Sequence, residues 1–271
     1  MKLRSVPARM GLTWMGHGLR ACARQPMGFI GLLGMVACAA MVTLGLPVLG
    51  PFVVIAVMPV IWMAFMLASR RAIEGQRVTP SVLIEPLRAQ EDITKVWMPL
   101  GGAYLLSVLL IKMLADLLGP GPEVLADAFE SAKDLSEALN APAVQTDLLW
   151  RLALTMPVSL LFWHTPALVF WARVPLLKSL FFSAMACWHN IGAFILYGLS
   201  WTAAVAALGL AGELFRMASP EPILSNILMA IGGLWLASAF YASLYFTVVD
   251  CFEPASPTPT TDAPPDAAGE A

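Results

Sequence analysis

Six long apolar runs, separated by charged connections, dominate the pattern of hydrophobic and polar positions along the chain. Five of the runs contain no Asp, Glu, Lys or Arg, and the third carries two charges near its end. About 20 helical residues, each rising 1.5 Å, cross the roughly 30 Å hydrocarbon layer of a bilayer. The pattern therefore predicts an all-α integral membrane protein with six transmembrane helices, at residues 27–46, 51–68, 96–117, 152–172, 191–211 and 223–249.

Composition excludes a soluble globular protein. Hydrophobic residues make up 59% of the 271 residues and charged residues 13%, against about 25% charged in an ordinary soluble domain. That leaves too little polar surface to cover the apolar part in water. The net charge of −2 gives no reason to expect a nucleic-acid partner. The four cysteines have no C-x-x-C spacing, so we expect buried thiols rather than disulfides or a zinc site.

Positive charge is unevenly distributed between the connections. Residues 1–26, 69–95 and 173–190 together hold twelve of the 16 Lys and Arg residues. Because cytoplasmic loops retain positive charge during insertion, this bias predicts that both termini are cytoplasmic. The membrane domain would then cover residues 27–252, and the proline-rich, acidic stretch 253–271 is expected to be a disordered cytoplasmic tail.

Short amphipathic segments flank the spans. Residues 1–26 are expected to contain an interfacial helix with Trp14 at headgroup depth. Residues 178–190, too short to span and rich in aromatic residues, predict a second interfacial helix. Apolar residues recur at helical period from Leu125 to about Asn140, which predicts one periplasmic amphipathic helix.

Polar residues inside the spans are candidate functional residues, because burying them in hydrocarbon is costly. His164 lies in the fourth span, where it could relay protons, ligate haem, or simply donate to a carbonyl freed by Pro166. We favour the structural role and expect no cofactor. Lys112 and Asp116 lie four residues apart near the outer end of the third span. They could form an ion or proton site, or they could be a structural ion pair. No catalytic or metal-binding motif is present, so we expect a non-enzymatic protein.

The segment 178–190 also supplies a candidate docking site. Phe182 and Trp188 are large aromatic residues on a short helix, and Asn190 opens the fifth span. We expect them to bind membrane lipids or a membrane-protein partner. The alternatives are a simple interfacial anchor for the aromatic residues and an N-cap for Asn190.

Several sequence blocks resemble a known family. They are FWHTPALV at 162–169, KSLFFS at 178–183 and ACWHN at 186–190, together with the turn PVLGP at 47–51. The set resembles a family of uncharacterised polytopic inner-membrane proteins of Gram-negative bacteria. The resemblance implies a multi-pass protein of the bacterial inner membrane, distantly similar to the membrane domains of glycerophosphodiester phosphodiesterases, with no established activity.

Two functions are compatible with these features. The first is a non-enzymatic scaffold or accessory protein in envelope or lipid homeostasis. The alternative is a small-solute or lipid transporter built on a parallel internal repeat, suggested by prolines at similar spacing before the third and fifth spans. A transporter predicts polar side chains that converge at mid-membrane, whereas a scaffold predicts a bundle filled by apolar and small residues.

Overall fold

The computed structural model describes residues 2–89, 93–133, 135–218 and 222–253, and the fold is all-α with six membrane-spanning helical segments in this part of the chain. The prediction of an integral membrane protein is thus confirmed. The spans correspond to α2 (Pro26–Leu44), α3 (Leu49–Ile73), α5 (Ile93–Leu118), α8 with α9 (Pro142–Phe162 and Thr165–Ala172), α11 (Ile191–Ala218) and α12 (Pro222–Cys251). The short helices are α1 (Met10–Arg24), α4 (Glu85–Arg88), α6 (Pro122–Ser131), α7 (Leu135–Asn140) and α10 (Leu176–His189).

The fourth span differs most from its predicted limits. It begins at Pro142, ten residues before the predicted start, and it is interrupted at Trp163 and His164, between α8 and α9. The early start was missed because Asp147 and Arg151 interrupt the apolar run, but these two side chains pair with each other on consecutive helical turns. Pro166 lies near the start of α9, where its missing N–H costs no helical hydrogen bond.

The acidic connection contains two short helices, so the prediction of one continuous helix to Asn140 is wrong. The backbone adopts an extended conformation at Ala132, and α6 ends there. The backbone N–H of Lys133 then donates to the Glu137 carboxylate, 3.0 Å away, at the start of the next helix. Both α6 and α7 pack against α8.

The helix α1 is part of the bundle. One face of it packs against α11 and α12, and Trp14 is completely buried by protein, so the expectation that this ring lies among headgroups is wrong. Glycine permits the close approach: a Cβ at Gly11 would meet the backbone of α11, and one at Gly18 would lie 2.6 Å from the Ala239 carbonyl oxygen of α12. Beyond α1, α12 packs on α2, α3 and α11, α3 packs on α5, and α5 packs on α8.

The two ends of the described chain meet. The strand β1 (Lys2–Leu3) pairs antiparallel with β2 (Phe252–Glu253), and the Arg4 N–H donates to the Cys251 carbonyl oxygen. We call the end of the bundle where residues 1–26, 69–95 and 173–190 lie the basic end. The predicted tail continues from Glu253 into residues 254–271, which lie outside the described part of the chain.

Candidate functional site

The candidate site is a cavity of about 390 Å³ between α3, α5, α8 and α12. It lies close to the midpoint of all four spans, since its lining includes Trp62 of α3, Tyr104 of α5, Ser159 of α8 and Phe240 of α12. The complete lining found among the described residues is Trp62, Tyr104, Val108, Ile111, Thr155, Val158, Ser159, Trp163, Phe240, Tyr241 and Leu244. Its volume is in the usual range for sites that bind small molecules.

Aromatic rings form the walls of the cavity and hold one another in place. The Trp62 and Tyr104 rings meet edge to face with centroids 5.1 Å apart, and Phe240 and Tyr241 do so at 5.7 Å. The Trp163 indole N–H donates to the Thr247 hydroxyl at 3.2 Å, which fixes that ring. The walls are therefore rigid, apolar faces suited to hydrocarbon.

A few uncharged polar groups interrupt this apolar wall. Thr155, Ser159 and Tyr104 contribute hydroxyls, and none of these hydroxyls has a hydrogen-bond partner among the described residues. Every lining residue is uncharged at neutral pH. The cavity can thus bind an apolar molecule that carries one or two hydrogen-bonding groups, but it offers no counter-charge to an ion.

His164 lies at the break between α8 and α9, one residue beyond the cavity wall. Its backbone N–H donates to the Ser183 hydroxyl at 2.9 Å, and that hydroxyl donates to the Leu160 carbonyl oxygen at 2.8 Å. Ser183 of α10 therefore satisfies the backbone groups that the break exposes. The expected hydrogen bond from the His164 ring to a carbonyl freed by Pro166 is not seen among the described residues, where the His164 backbone and a serine from another helix satisfy the break.

The His164 ring itself is enclosed by protein. Its Nδ1 lies 3.6 Å from the Cys187 sulfur, and its faces meet the Phe194 and Phe252 rings at centroid distances of 5.7 and 5.3 Å. The side chain is completely buried, and its Nε2 has no hydrogen-bond partner among the described residues. The ring is a packed core residue and not part of the cavity.

Asn190 joins the N-terminal segment to the bundle. Its Oδ1 accepts from the Val6 N–H at 2.8 Å, and its Nδ2 donates to the carbonyl oxygens of Arg4 and Ala186, each at 3.0 Å. Asn190 does hold the N-cap position of α11, and its backbone carbonyl oxygen accepts from the Phe194 N–H at 3.1 Å. Its side chain, however, bonds the last turn of α10 and the N-terminal segment. Because Asn190 is only 2% exposed, it is also unavailable to a docking partner.

Lys112 and Asp116 form the predicted pair, and two further residues join it. Arg151 of α8 donates to Asp116 at 3.1 Å and to Asp147 at 2.6 Å. The cluster therefore contains two cations and two anions and ties α5 to α8 at the end of the spans opposite the basic end. Sequence reasoning missed Arg151 and Asp147 because they lie 35 and 31 residues away from Asp116.

The helix α10 presents its large side chains outward. Trp188 is 71% exposed and Phe182 38% exposed, while the buried residues of the helix are Ser179, Ser183, Ala186 and Cys187. The predicted short helix is thus present, and its aromatic residues are free of the bundle. Burial raises the pKa of the Cys187 thiol and raises that of Cys22 in α1 to about 11, so both sulfurs are neutral packing groups.

Sequence reasoning did not find the cavity. The sequence does show aromatic and hydroxyl residues near the middle of four spans. Whether these residues form one cavity depends on which helix faces pack together, and the sequence does not show that. The residues predicted from the sequence lie elsewhere: at the break in the fourth span, at the end opposite the basic end, and on or next to α10.

Comparison with known proteins places the chain in a family. No family model matches it, and no solved structure matches it. A probable inner membrane protein of Burkholderia thailandensis is 32% identical over 263 residues, which cover 95% of this chain and 97% of that protein. Nothing in these comparisons supports the similarity to glycerophosphodiester phosphodiesterase membrane domains. The chain is a multi-pass inner-membrane protein and belongs to the same family as this Burkholderia protein.

Proposed function

We propose that this protein is a non-enzymatic accessory protein of the inner membrane that binds a membrane lipid or a similar amphipathic molecule in its central cavity. The observation that carries the proposal is the cavity itself, about 390 Å³ in volume, near mid-membrane, walled by aromatic rings and free of charge. The acyl chains of a membrane lipid would pack well against such apolar walls. The free hydroxyls would hydrogen-bond to the polar group of an amphipathic molecule and so fix its orientation. A role in envelope or lipid homeostasis follows from this ligand class.

The chemistry of the lining supports binding without catalysis. General acid–base or nucleophilic catalysis needs a titratable or nucleophilic group within reach of the substrate. Hydroxyls such as those of Ser159 and Thr155 act as nucleophiles only beside an activating base. No Asp, Glu, His, Lys or Cys side chain is among the described lining residues, and His164 is completely buried outside the cavity. The residues in the cavity are therefore matched to recognition by shape and hydrogen bonding.

The experiment is a matched pair of cavity and surface substitutions. Val108→Phe adds a ring inside the cavity, whereas Val205→Phe makes the same change on α11 at a side chain that is 61% exposed. Each variant and the wild-type chain are purified in a mild detergent, and co-purified small molecules are measured by mass spectrometry. We expect Val108→Phe to reduce a co-purified lipid at least fivefold, with no change for Val205→Phe. Equal lipid in all three folded proteins would contradict the proposal.

A transporter is the second candidate, and the break in the fourth span favours it. Trp163 lies both in the break and in the cavity wall, so a movement of α9 against α8 would change the cavity. A transporter predicts transbilayer movement of a fluorescent lipid in proteoliposomes, slowed by Val108→Phe. The accessory protein predicts binding without movement.

The proposed repeat has unequal halves. The span before α5 continues through Pro59, and in the described residues a 3-10 turn (Pro80–Leu83) and α4 follow it before α5. The span before α11 is broken, and the 14-residue α10 follows it. The parallel repeat remains a prediction.

The outward aromatic face of α10 is the second part of the proposed function. Phe182 and Trp188 point away from the bundle, and their exposure suits contact with lipid or with a membrane-protein partner. An accessory protein needs such a free surface in addition to its cavity, because it acts on other components. Asn190 is not included in this face.

A further inference from the structure

A separate cleft of about 260 Å³ lies at the basic end of the bundle, between α1 and the ends of two spans. Its lining includes His17, Arg20 and Arg24 of α1, Ile73 at the last position of α3, and Phe246 near the end of α12. The spacing of three and four residues places the three α1 side chains on one helix face. The cleft therefore combines a basic wall with an apolar floor at the depth where a span leaves the membrane.

The two arginines are not neutralised within the described part of the chain. The Arg20 Nε donates to the Gly16 carbonyl oxygen at 3.1 Å, which leaves the two terminal nitrogens of this guanidinium without a described partner. Neither Arg20 nor Arg24 forms an ion pair with a described residue. A guanidinium offers paired N–H groups that suit a phosphate.

Two acids lie near the cleft. The carboxylate of Asp250, the acid that faces α1 from α12, accepts the Trp14 indole N–H at 2.8 Å. Glu74, next to Ile73, pairs with Arg70 at 2.9 Å. Glu74 is balanced by Arg70, whereas Asp250 forms no ion pair with a described residue, so two arginines face one unbalanced carboxylate and the cleft presents a net positive charge.

His17 adds a polar group to this wall. Its ring packs against Phe246 with centroids 4.9 Å apart, and its Nδ1 has no hydrogen-bond partner among the described residues. Burial lowers the pKa of His17, and the neighbouring Arg20 lowers it further, while Asp250 opposes the shift. The ring is therefore neutral at pH 7 and can donate one N–H.

We propose that this cleft binds the phosphate group of an anionic membrane phospholipid, held by Arg20 and Arg24 beside His17, with its acyl chains over Phe246 and Ile73. The apolar floor decides between a lipid and free phosphate, because a free anion gains nothing from it. The site is distinct from the central cavity: its ligand is selected by charge, whereas the cavity is uncharged.

The test uses the whole chain in detergent after lipid removal, with lipid binding measured by native mass spectrometry. Phosphatidylglycerol and phosphatidylcholine with identical dioleoyl chains are titrated separately, so that the difference between them isolates the headgroup and cancels binding in the central cavity. Variants are R20Q, R24Q and the double variant, and R9Q removes a charge at the start of the same helix, outside the cleft.

We expect phosphatidylglycerol to bind more tightly than phosphatidylcholine. Removing each arginine should weaken the binding of phosphatidylglycerol about fivefold, because a basic residue near the membrane surface contributes about 1 kcal/mol to the binding of anionic lipid. R9Q should bind as the wild type does. The double variant R20K/R24K, which retains both charges, should keep most of the preference and controls for misfolding.

Two results would overturn the proposal. One is an unchanged preference for phosphatidylglycerol in folded R20Q/R24Q. The other is displacement of phosphatidylglycerol from the wild-type chain by millimolar inorganic phosphate, which would identify a site for the free anion.

Discussion

Two short helices, α1 and α10, have the same kind of sequence and opposite surroundings. Both are too short to span, both are amphipathic, and both were expected to lie in the membrane interface. In the structure α1 packs between α11 and α12 with Trp14 fully buried, while α10 leaves Trp188 71% exposed. On both helices the buried face is the one with small residues, including Gly11, Gly18 and Ala21 on α1.

Small residues, and not large apolar ones, mark the face of these two helices that packs on protein. Lipid is as apolar as a protein core, so a large aromatic side chain gains little by leaving it. A glycine or serine face gains close backbone contact and interhelical hydrogen bonds. Trp14 is the large residue that departs from this pattern, and its burial is possible because its indole N–H donates to the Asp250 carboxylate.

The largest effect on stability is expected when the face of α1 that carries small residues is disrupted. Gly18→Ala places a Cβ against the α12 backbone, 2.6 Å from the Ala239 carbonyl oxygen, and should destabilise the protein by about 3 kcal/mol. Gly16→Ala is the matched control on the same helix, since its Cβ would meet only the end of Arg20 at 3.7 Å. It should stabilise by about 0.5–1 kcal/mol through helix propensity. Thermal unfolding in detergent measures both, and equal effects would contradict the account.

A smaller effect is expected for the polar contact that lets Trp14 be buried. Trp14→Phe removes the N–H that Asp250 accepts, and a hydrogen bond to a charged group contributes about 1.5–3 kcal/mol. A double-mutant cycle with Asp250→Asn should give a coupling of about 1–2 kcal/mol, because an amide oxygen still accepts weakly. Additive losses would show that the contact contributes nothing.

The smallest effect on stability is expected on the outer face of α10. Phe182→Ala with Trp188→Ala should change the free energy of unfolding by less than about 0.5 kcal/mol, while co-purified lipid or partner decreases. Ser183→Ala on the inner face of the same helix should cost about 1–3 kcal/mol, because it leaves buried backbone groups at the break unpaired. Parallel loss of folded protein and binding in the aromatic variant would make that face structural.

The fold class and the six spans could be predicted because each apolar run is long enough to cross a bilayer on its own. Helix limits failed where charges pair between or within helices, as Arg151 does with Asp147. The surroundings of Trp14, Asn190 and His164 could not be predicted, because their partners lie on other elements: Asp250 is 236 residues from Trp14, Val6 is 184 from Asn190, and Ser183 is 19 from His164. The cavity could not be predicted for the same reason, because four separate spans each contribute a part of its wall.

A density map of the protein in native-lipid nanodiscs would show whether the mid-membrane cavity holds a membrane molecule. We expect an elongated density between α3, α5, α8 and α12, in contact with Trp62, Trp163 and Phe240. The same density should be absent from Val108→Phe in the same nanodiscs. A wild-type map in which the aromatic side chains close the cavity, leaving no room for a ligand, would contradict the claim.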